Sequence, residues 1–252
     1  MKVAVTGGTG VLGALVVAQL AARGDEVLAL SRTSGEALPD RASHRRADLT
    51  TGEGLANALA GVEVVVNAAN SNPRDAAPVL VEGTRRLLQA EAAAGVGHHV
   101  DVSIVGCDRA PMRYYGVKVA QEEAVAAGDV PWSLLRATQF HDLLDGLFRS
   151  AARFRLSPRG SARLQPIDPT VVAERLAEAA HAEARGRLPD AAGPQVLTLS
   201  ELARTWSATK KHAGLPVRIP MVGRAGRSLR EAALCNPAVG DGPTFERWLA
   251  DG

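Results

Sequence analysis

The chain has 252 residues, 46% hydrophobic and 22% charged, with 29 Lys+Arg against 27 Asp+Glu and a formal net charge of +2. That is enough to bury a sizeable core, and the even spread of charge excludes a dedicated nucleic-acid surface, which needs a clustered basic face. No apolar run reaches the ~18–20 residues that cross a bilayer, and Lys2 leads into a strand rather than an apolar leader.

The two cysteines, Cys107 and Cys235, lie far apart with no metal-ligand spacing. A reduced, cytoplasmic protein with no metal and no membrane partner is expected. His44-Arg45-Arg46 and Lys210-Lys211-His212 read as solvated faces or helix ends, and Cys107 as a small buried hydrophobe.

In chain order, Val/Ile/Leu-rich runs predict strands at 2–6, 26–30, 62–67, 99–103 and 132–136. Each is apolar on both faces, as parallel strands beneath helices require. Between them helices are predicted at 11–23, 54–59, 76–94 and 114–127. The β-α-β-α rhythm implies an α/β Rossmann-type fold, a doubly wound parallel sheet. Beyond Thr138 the pattern loosens. Helices are expected at 139–153, 170–184 and 199–212, a short strand at 162–166, and many prolines punctuate the rest. The division reads as a dinucleotide-binding domain at 1–140 and a smaller substrate-binding cap at 141–252, packed on the sheet's carboxyl edge.

The segment T-G-G-T-G-V-L-G at 6–13 directly follows the first strand. Gly7 permits a tight turn, Gly10 lets the backbone approach a pyrophosphate, and Gly13 lets helix and strand pack closely. A bare helix N-terminus then offers N–H donors to phosphate. Thr6, Gly7, Thr9, Gly10, Val11, Leu12 and Gly13 are therefore the first cofactor-binding candidates. The second strand runs into Ser31-Arg32-Thr33-Ser34, without the acid that accepts an NAD ribose hydroxyl. Arg32 can pair with a 2′-phosphate and Ser31 can donate to it, so NADP(H) is favoured over NAD(H). Asp48-Leu49 stands where the third nucleotide-side loop is expected. Asn67-Ala68-Ala69 closes a strand with small residues that leave room for the adenosine.

These elements resemble a short-chain dehydrogenase/reductase of the extended or atypical, NmrA-like branch. The matching segments are T-G-G-T-G-V-L-G, Asp48-Leu49, N-A-A at 67–69, V-S-I-V-G at 102–106, Y-Y-G-V-K at 114–118 and P-W-S-L-L-R-A-T-Q-F at 131–140. The resemblance implies that Tyr114 and Lys118 form a catalytic Tyr-x-x-x-Lys pair, that Lys118 also holds the nicotinamide ribose, and that Ser103 orients substrate. Helix geometry agrees, because four residues place Tyr114 and Lys118 about 40° apart on one face. Tyr115 lies about 100° from Tyr114 and is expected to pack toward the core or line the substrate cleft. A free phenol has a pKa of about 10, and a neighbouring ammonium lowers it toward neutrality.

The chain departs from the family in its short S-I-V-G segment and in Arg136-Ala137-Thr138 where many relatives have Arg-Pro-Gly. Thr138, Gln139 and Phe140 are candidates to meet the nicotinamide, or simply cap the next helix; His141 is a second acid/base candidate or a structural residue. The leading function is reduction of a carbonyl or quinone-like small molecule by hydride transfer. The alternatives are a non-catalytic NADP-sensing regulator and an NAD-dependent sugar-nucleotide epimerase or dehydratase. The expected partner is a small-molecule substrate, with a homodimer left open.

Overall fold

The computed structural model describes residues 1–33, 37–73 and 75–252; Ser34 of the loop after the second strand lies outside them. Strands β1 (Lys2–Thr6), β2 (Glu26–Ser31), β3 (Ala42–Arg46), β4 (Val64–Asn67), β5 (His98–Ile104) and β6 (Trp132–Ala137) form a parallel sheet with the two-residue β9 (Gly186–Arg187). Its order, β3-β2-β1-β4-β5-β6-β9, is Rossmann-like. The direction of winding reverses between β1 and β4, where such sheets leave a crevice at the strands' carboxyl ends. Thr6 pairs in register with Asn67, and Asn67 with Asp101.

The apolar runs explain the sheet. Val3, Ala4, Val5, Val65 and Val66 have no exposed surface, as strands covered on both faces require. Helices α1 (Val11–Ala22), α2 (Leu55–Ala58), α3 (Gly83–Ala94) and α4 (Arg113–Ala126) alternate with the strands. Leu28, Leu30, Leu55, Leu59, Val65 and Leu87 belong to one core cluster.

Two sequence expectations are corrected here. The helix expected at 76–94 is a π-helical segment, Ala77–Glu82, followed by α3. Gly83 stands at the junction, where an added Cβ would approach that of Leu49 to 3.0 Å. His44-Arg45-Arg46, expected as a solvated face or a helix end, is a solvated end of edge strand β3 and not a helix end. Arg45 and Arg46 are exposed there, and charge on an edge strand discourages pairing with another chain.

The chain divides into two compact units, neither continuous in sequence. The first comprises Met1–Ser103, Gly116–Leu135 and Val172–Pro189, and includes most of α6 (Pro169–Ala180). The second comprises Ile104–Tyr115, Arg136–Val171 and Asp190–Gly252. It contains α5 (His141–Ala152), α7 (Leu199–Thr209), α8 (Gly223–Arg230) and α9 (Phe245–Asp251). Its two small sheets pair β7 (Leu156–Arg159) with β11 (Leu215–Arg218), and β8 (Arg163–Leu164) with β10 (Leu197–Thr198). Phe148, Leu202, Trp206, Phe245 and Leu249 form its core. Trp206 Nε1 donates to Asp145 at 2.7 Å, which satisfies the one polar atom of a buried indole. Among the described residues, no helix is long and apolar enough to cross a membrane.

Candidate functional site

The glycine loop joins β1 to α1. Gly7 has φ +64°, a conformation that L side chains rarely adopt, and an added Cβ would sit 2.9 Å from the Ala68 carbonyl oxygen. The loop therefore lies against the start of the 68–69 segment beyond β4. At Gly13 a Cβ would overlap the Gly7 carbonyl, so α1 can pack this closely only without a side chain. Gly10 caps the helix with no side-chain hydrogen bond, and the first turn carries no acid. The amides of Val11, Leu12 and Gly13 have no intrahelical acceptor, and Thr9, Gly10 and Val11 are exposed beside them. A cradle that admits no Cβ and a helix end that no side chain fills fit a dinucleotide pyrophosphate.

At the end of β2, Ser31 is already engaged. Its hydroxyl donates to the Thr33 carbonyl at 2.5 Å and lies 2.9 Å from His44 Nε2. Arg32, next in the chain, is exposed. Asp48 Oδ1 accepts from the Thr50 amide at 2.7 Å, which closes the loop after β3, and Leu49 packs against the first unit's core.

Beneath α3 and α4 runs a buried polar row. Thr6 Oγ1 donates to Asn67 Oδ1 at 2.5 Å, and Asn67 Nδ2 donates to Asp101 Oδ2 at 3.3 Å and Thr84 Oγ1 at 3.4 Å. Gln121 Nε2 donates to both Asp101 oxygens, at 3.1 and 3.3 Å. Lys118 Nζ then donates to Gln121 Oε1 at 2.6 Å and to the Val102 carbonyl at 2.9 Å. On the other side of Asp101, His99 Nε2 stands 3.6 Å away, while its Nδ1 lies 2.9 and 3.0 Å from the Glu91 carboxylate. Glu91 and His99 have no exposed surface, and Asp101 is 1% exposed. Burial by itself would depress the His99 pKa, but Glu91 and Asp101 outweigh it and hold the imidazolium at about 10. His99 thus enters the core as a cation between two carboxylates.

Tyr114 and Tyr115 begin α4, one turn before Lys118. Their rings meet edge to face, centroids 5.7 Å apart, and both are half-buried. Burial, with smaller contributions from Tyr114 and Cys107, pushes the Tyr115 phenol up to about 12. Tyr115 therefore stays neutral near neutral pH. Ser103, near the end of β5, is 4% exposed, and Lys118 is likewise 4% exposed. Cys107 and Cys235 are both buried.

In the second unit, Thr138 Oγ1 accepts from the Gly193 amide at 3.2 Å. Gln139 Nε2 donates to the Leu234 carbonyl and its Oε1 accepts from Gln165 N, both at 3.0 Å. Phe140 is the residue before α5 and bridges Ile167. His141 is fully buried against Phe245 and Trp248, and its ring faces the Pro243 carbonyl. Desolvation lowers its pKa, so it is a neutral core histidine.

Sequence reading passed over Glu91, His99, Asp101 and Gln121. The signal was present in H-H-V-D at 98–101, where His99 and Asp101 stand at strand spacing on one face.

Residues 7–182 match the NAD(P)H-binding family. Over 103 residues the chain is 33% identical to an uncharacterised protein of Mycobacterium tuberculosis, an overlap covering 41% of this chain and 12% of that one. The chain thus spans about an eighth of that relative's length. Among solved structures it is similar to the Escherichia coli NADPH-dependent quinone oxidoreductase in complex with NADPH, with TM-score 0.81 and 18% identity over 99% of each chain. It is also similar to a Staphylococcus aureus nucleoside-diphosphate-sugar epimerase, with TM-score 0.79 and 16% identity over 99% of this chain and 100% of that one. Its fold is the one shared by these reductases and epimerases.

Proposed function

Since the chain belongs to the NAD(P)H-binding family, we propose that it is an NADP(H)-dependent oxidoreductase acting on a carbonyl or quinone-like small molecule, with Tyr114 as general acid and base. One observation carries this reading. A half-buried phenol begins α4 one turn before an ammonium that is 4% exposed and donates to two neutral oxygens. The bound nucleotide supplies hydride to the substrate carbon. Tyr114 donates its Oη proton to the substrate oxygen as negative charge develops there, and takes a proton back in the reverse direction. Such proton transfer contributes about 10²- to 10⁴-fold.

Lys118 favours the phenolate that remains and directs an N–H toward the nicotinamide ribose. Ser103 donates to the same substrate oxygen as Tyr114. The 6–13 loop holds the pyrophosphate on backbone amides. Arg32 takes the 2′-phosphate, since the Ser31 hydroxyl is already given to Thr33. Asn67 serves through its backbone, together with Ala68 and Ala69, because its amide is spent within the buried row. Asp48 and Leu49 shape the adenine side, and Thr138 and Phe140 stand for the nicotinamide side. Residues 141–252 carry the substrate-binding part.

The test is NADPH oxidation with a panel of quinones, enones and ketones. Turnover above the protein-free rate is expected with at least one class. A protein that binds NADPH, turns over none of them, and captures a partner protein according to the cofactor's redox state would instead be a regulator.

A further inference from the structure

The near balance of 29 Lys+Arg against 27 Asp+Glu hides a local excess. Between Asp145 and Asp168 the chain carries five arginines and no acid; between Glu201 and Glu231 it carries seven Lys or Arg and no acid. Both stretches belong to the second unit, where β7 and β11 pair them in parallel, Leu156 beside Leu215 and Arg159 beside Arg218. The charge is therefore not evenly spread, as the whole-chain composition suggests. Asp145 offsets Arg149. Arg153, Arg155, Arg218, Arg224 and Arg227 are exposed, and none of them lies in an ion pair among the described residues.

The same stretches expose large apolar side chains. Phe154 is 76% exposed between Arg153 and Arg155, Leu215 is 70% and Val222 74% exposed, and Val217 and Ile219 lie open on and just beyond β11. Between the C-terminal ends of α5 and α7 opens a cavity of about 380 Å³, lined by Arg149, Ala152, Arg153, Trp206, Lys210 and His212, with no acid in its wall.

We propose that this face docks on an anionic lipid bilayer, with Phe154, Leu215 and Val222 entering the headgroup–acyl boundary and the arginines meeting lipid phosphates. The cavity beside Phe154 takes one headgroup phosphate through Arg153 and Lys210. A duplex phosphate backbone would satisfy the arginines and leave the apolar side chains in water. A second copy in a two-fold contact would set the same arginines against one another. The expectation of no membrane partner rested on hydropathy, which registers spans and not surface contacts. This docking needs neither the nucleotide site nor Tyr114.

Flotation with vesicles of phosphatidylcholine, alone or with about one-third phosphatidylglycerol, tests it at low salt and at about 0.5 M salt. Wild type should bind the mixed vesicles at least about tenfold more tightly than the neutral ones, and salt should weaken the binding. Each basic side chain near an anionic surface contributes about fivefold, so Arg224→Gln with Arg227→Gln should lose about 25-fold. Phe154→Ser with Leu215→Ser and Val222→Ser should lose at least about tenfold with every charge kept. In Phe154→Trp, brominated acyl chains should quench the emission more deeply than they quench wild type.

No binding to the mixed vesicles at low salt overturns the proposal, as does a Phe154→Trp emission that the brominated chains leave alone. Duplex DNA bound as tightly as the mixed vesicles, by wild type and the triple serine variant alike, would make the surface a nucleic-acid site instead. A dimer in the ultracentrifuge that the triple serine variant dissociates would make the occupant a second copy, and the proposal would fall. Should a variant fail to fold, wild type decides, since vesicle binding indifferent to lipid charge overturns the proposal.

Discussion

His99→Gln tests the energetics of the buried row. The histidine sits between Glu91 and Asp101 with no exposed surface, and removing its charge leaves two carboxylates buried together. Its pKa rises from the ordinary 6.5 to about 10 on folding. At about 1.4 kcal/mol per pKa unit, that rise corresponds to about 5 kcal/mol. Breaking a buried ion pair from one side costs about 3–5 kcal/mol, which agrees. Because the folded pKa lies above the unfolded one, this contribution is complete below pH 6.5. It declines by about 1.4 kcal/mol per pH unit above that and is gone beyond about pH 10. Urea unfolding followed by circular dichroism across this window measures it. Wild type should lose stability with the stated slope, and His99→Gln should be destabilised by about 3–5 kcal/mol at neutral pH with a shallower slope. A loss under about 1 kcal/mol, or identical slopes in the two proteins, would refute the charge assignment.

Other expectations follow from single contacts. Arg32→Ala should weaken NADPH binding about 10- to 100-fold while leaving NADH binding nearly unchanged, since a charge-assisted hydrogen bond is worth about 1.5–3 kcal/mol; isothermal titration with both nucleotides reads the difference. Gly13→Ala, whose Cβ would overlap the Gly7 carbonyl, should cost about 1–3 kcal/mol of stability and abolish nucleotide binding, measured by thermal melts with and without NADPH. Tyr115→Phe should change turnover less than about threefold, because a phenol held at about 12 exchanges no proton near neutrality. A loss as deep as that of Tyr114→Phe would mean the wrong tyrosine carries the chemistry.

The first half of the fold was legible because its signals are strong. Strand Lys2–Thr6 was read at both its ends, and helix Val11–Ala22 within one residue, since apolar runs and a glycine loop bound them. The edge strand Ala42–Arg46 was missed because its A-S-H-R-R sequence has no apolar face to bury. In the second unit the short strand expected at 162–166 is β8, whereas β7 and β11 carry Pro158 and Pro216 and β10 has only two residues, too little for a period of two to register. Asn67 was read as the end of a strand beside the adenosine, and its side chain is hydrogen-bonded inside the sheet's polar row. The resemblance singled out Tyr114 and Lys118, and their four-residue spacing agreed with it. The contact of Gln121 with Asp101 was not legible, because Asp101 arrives from β5, a contact across sequence that no local pattern contains.

The role of Tyr114 is tested most directly by Tyr114→Phe, compared with wild type on one substrate at saturating NADPH. A kcat lower by about 10²- to 10⁴-fold is expected, with NADPH affinity and the unfolding midpoint unchanged. A Tyr114→Phe enzyme within about threefold of wild type would contradict it, because proton transfer would then have to come from another group.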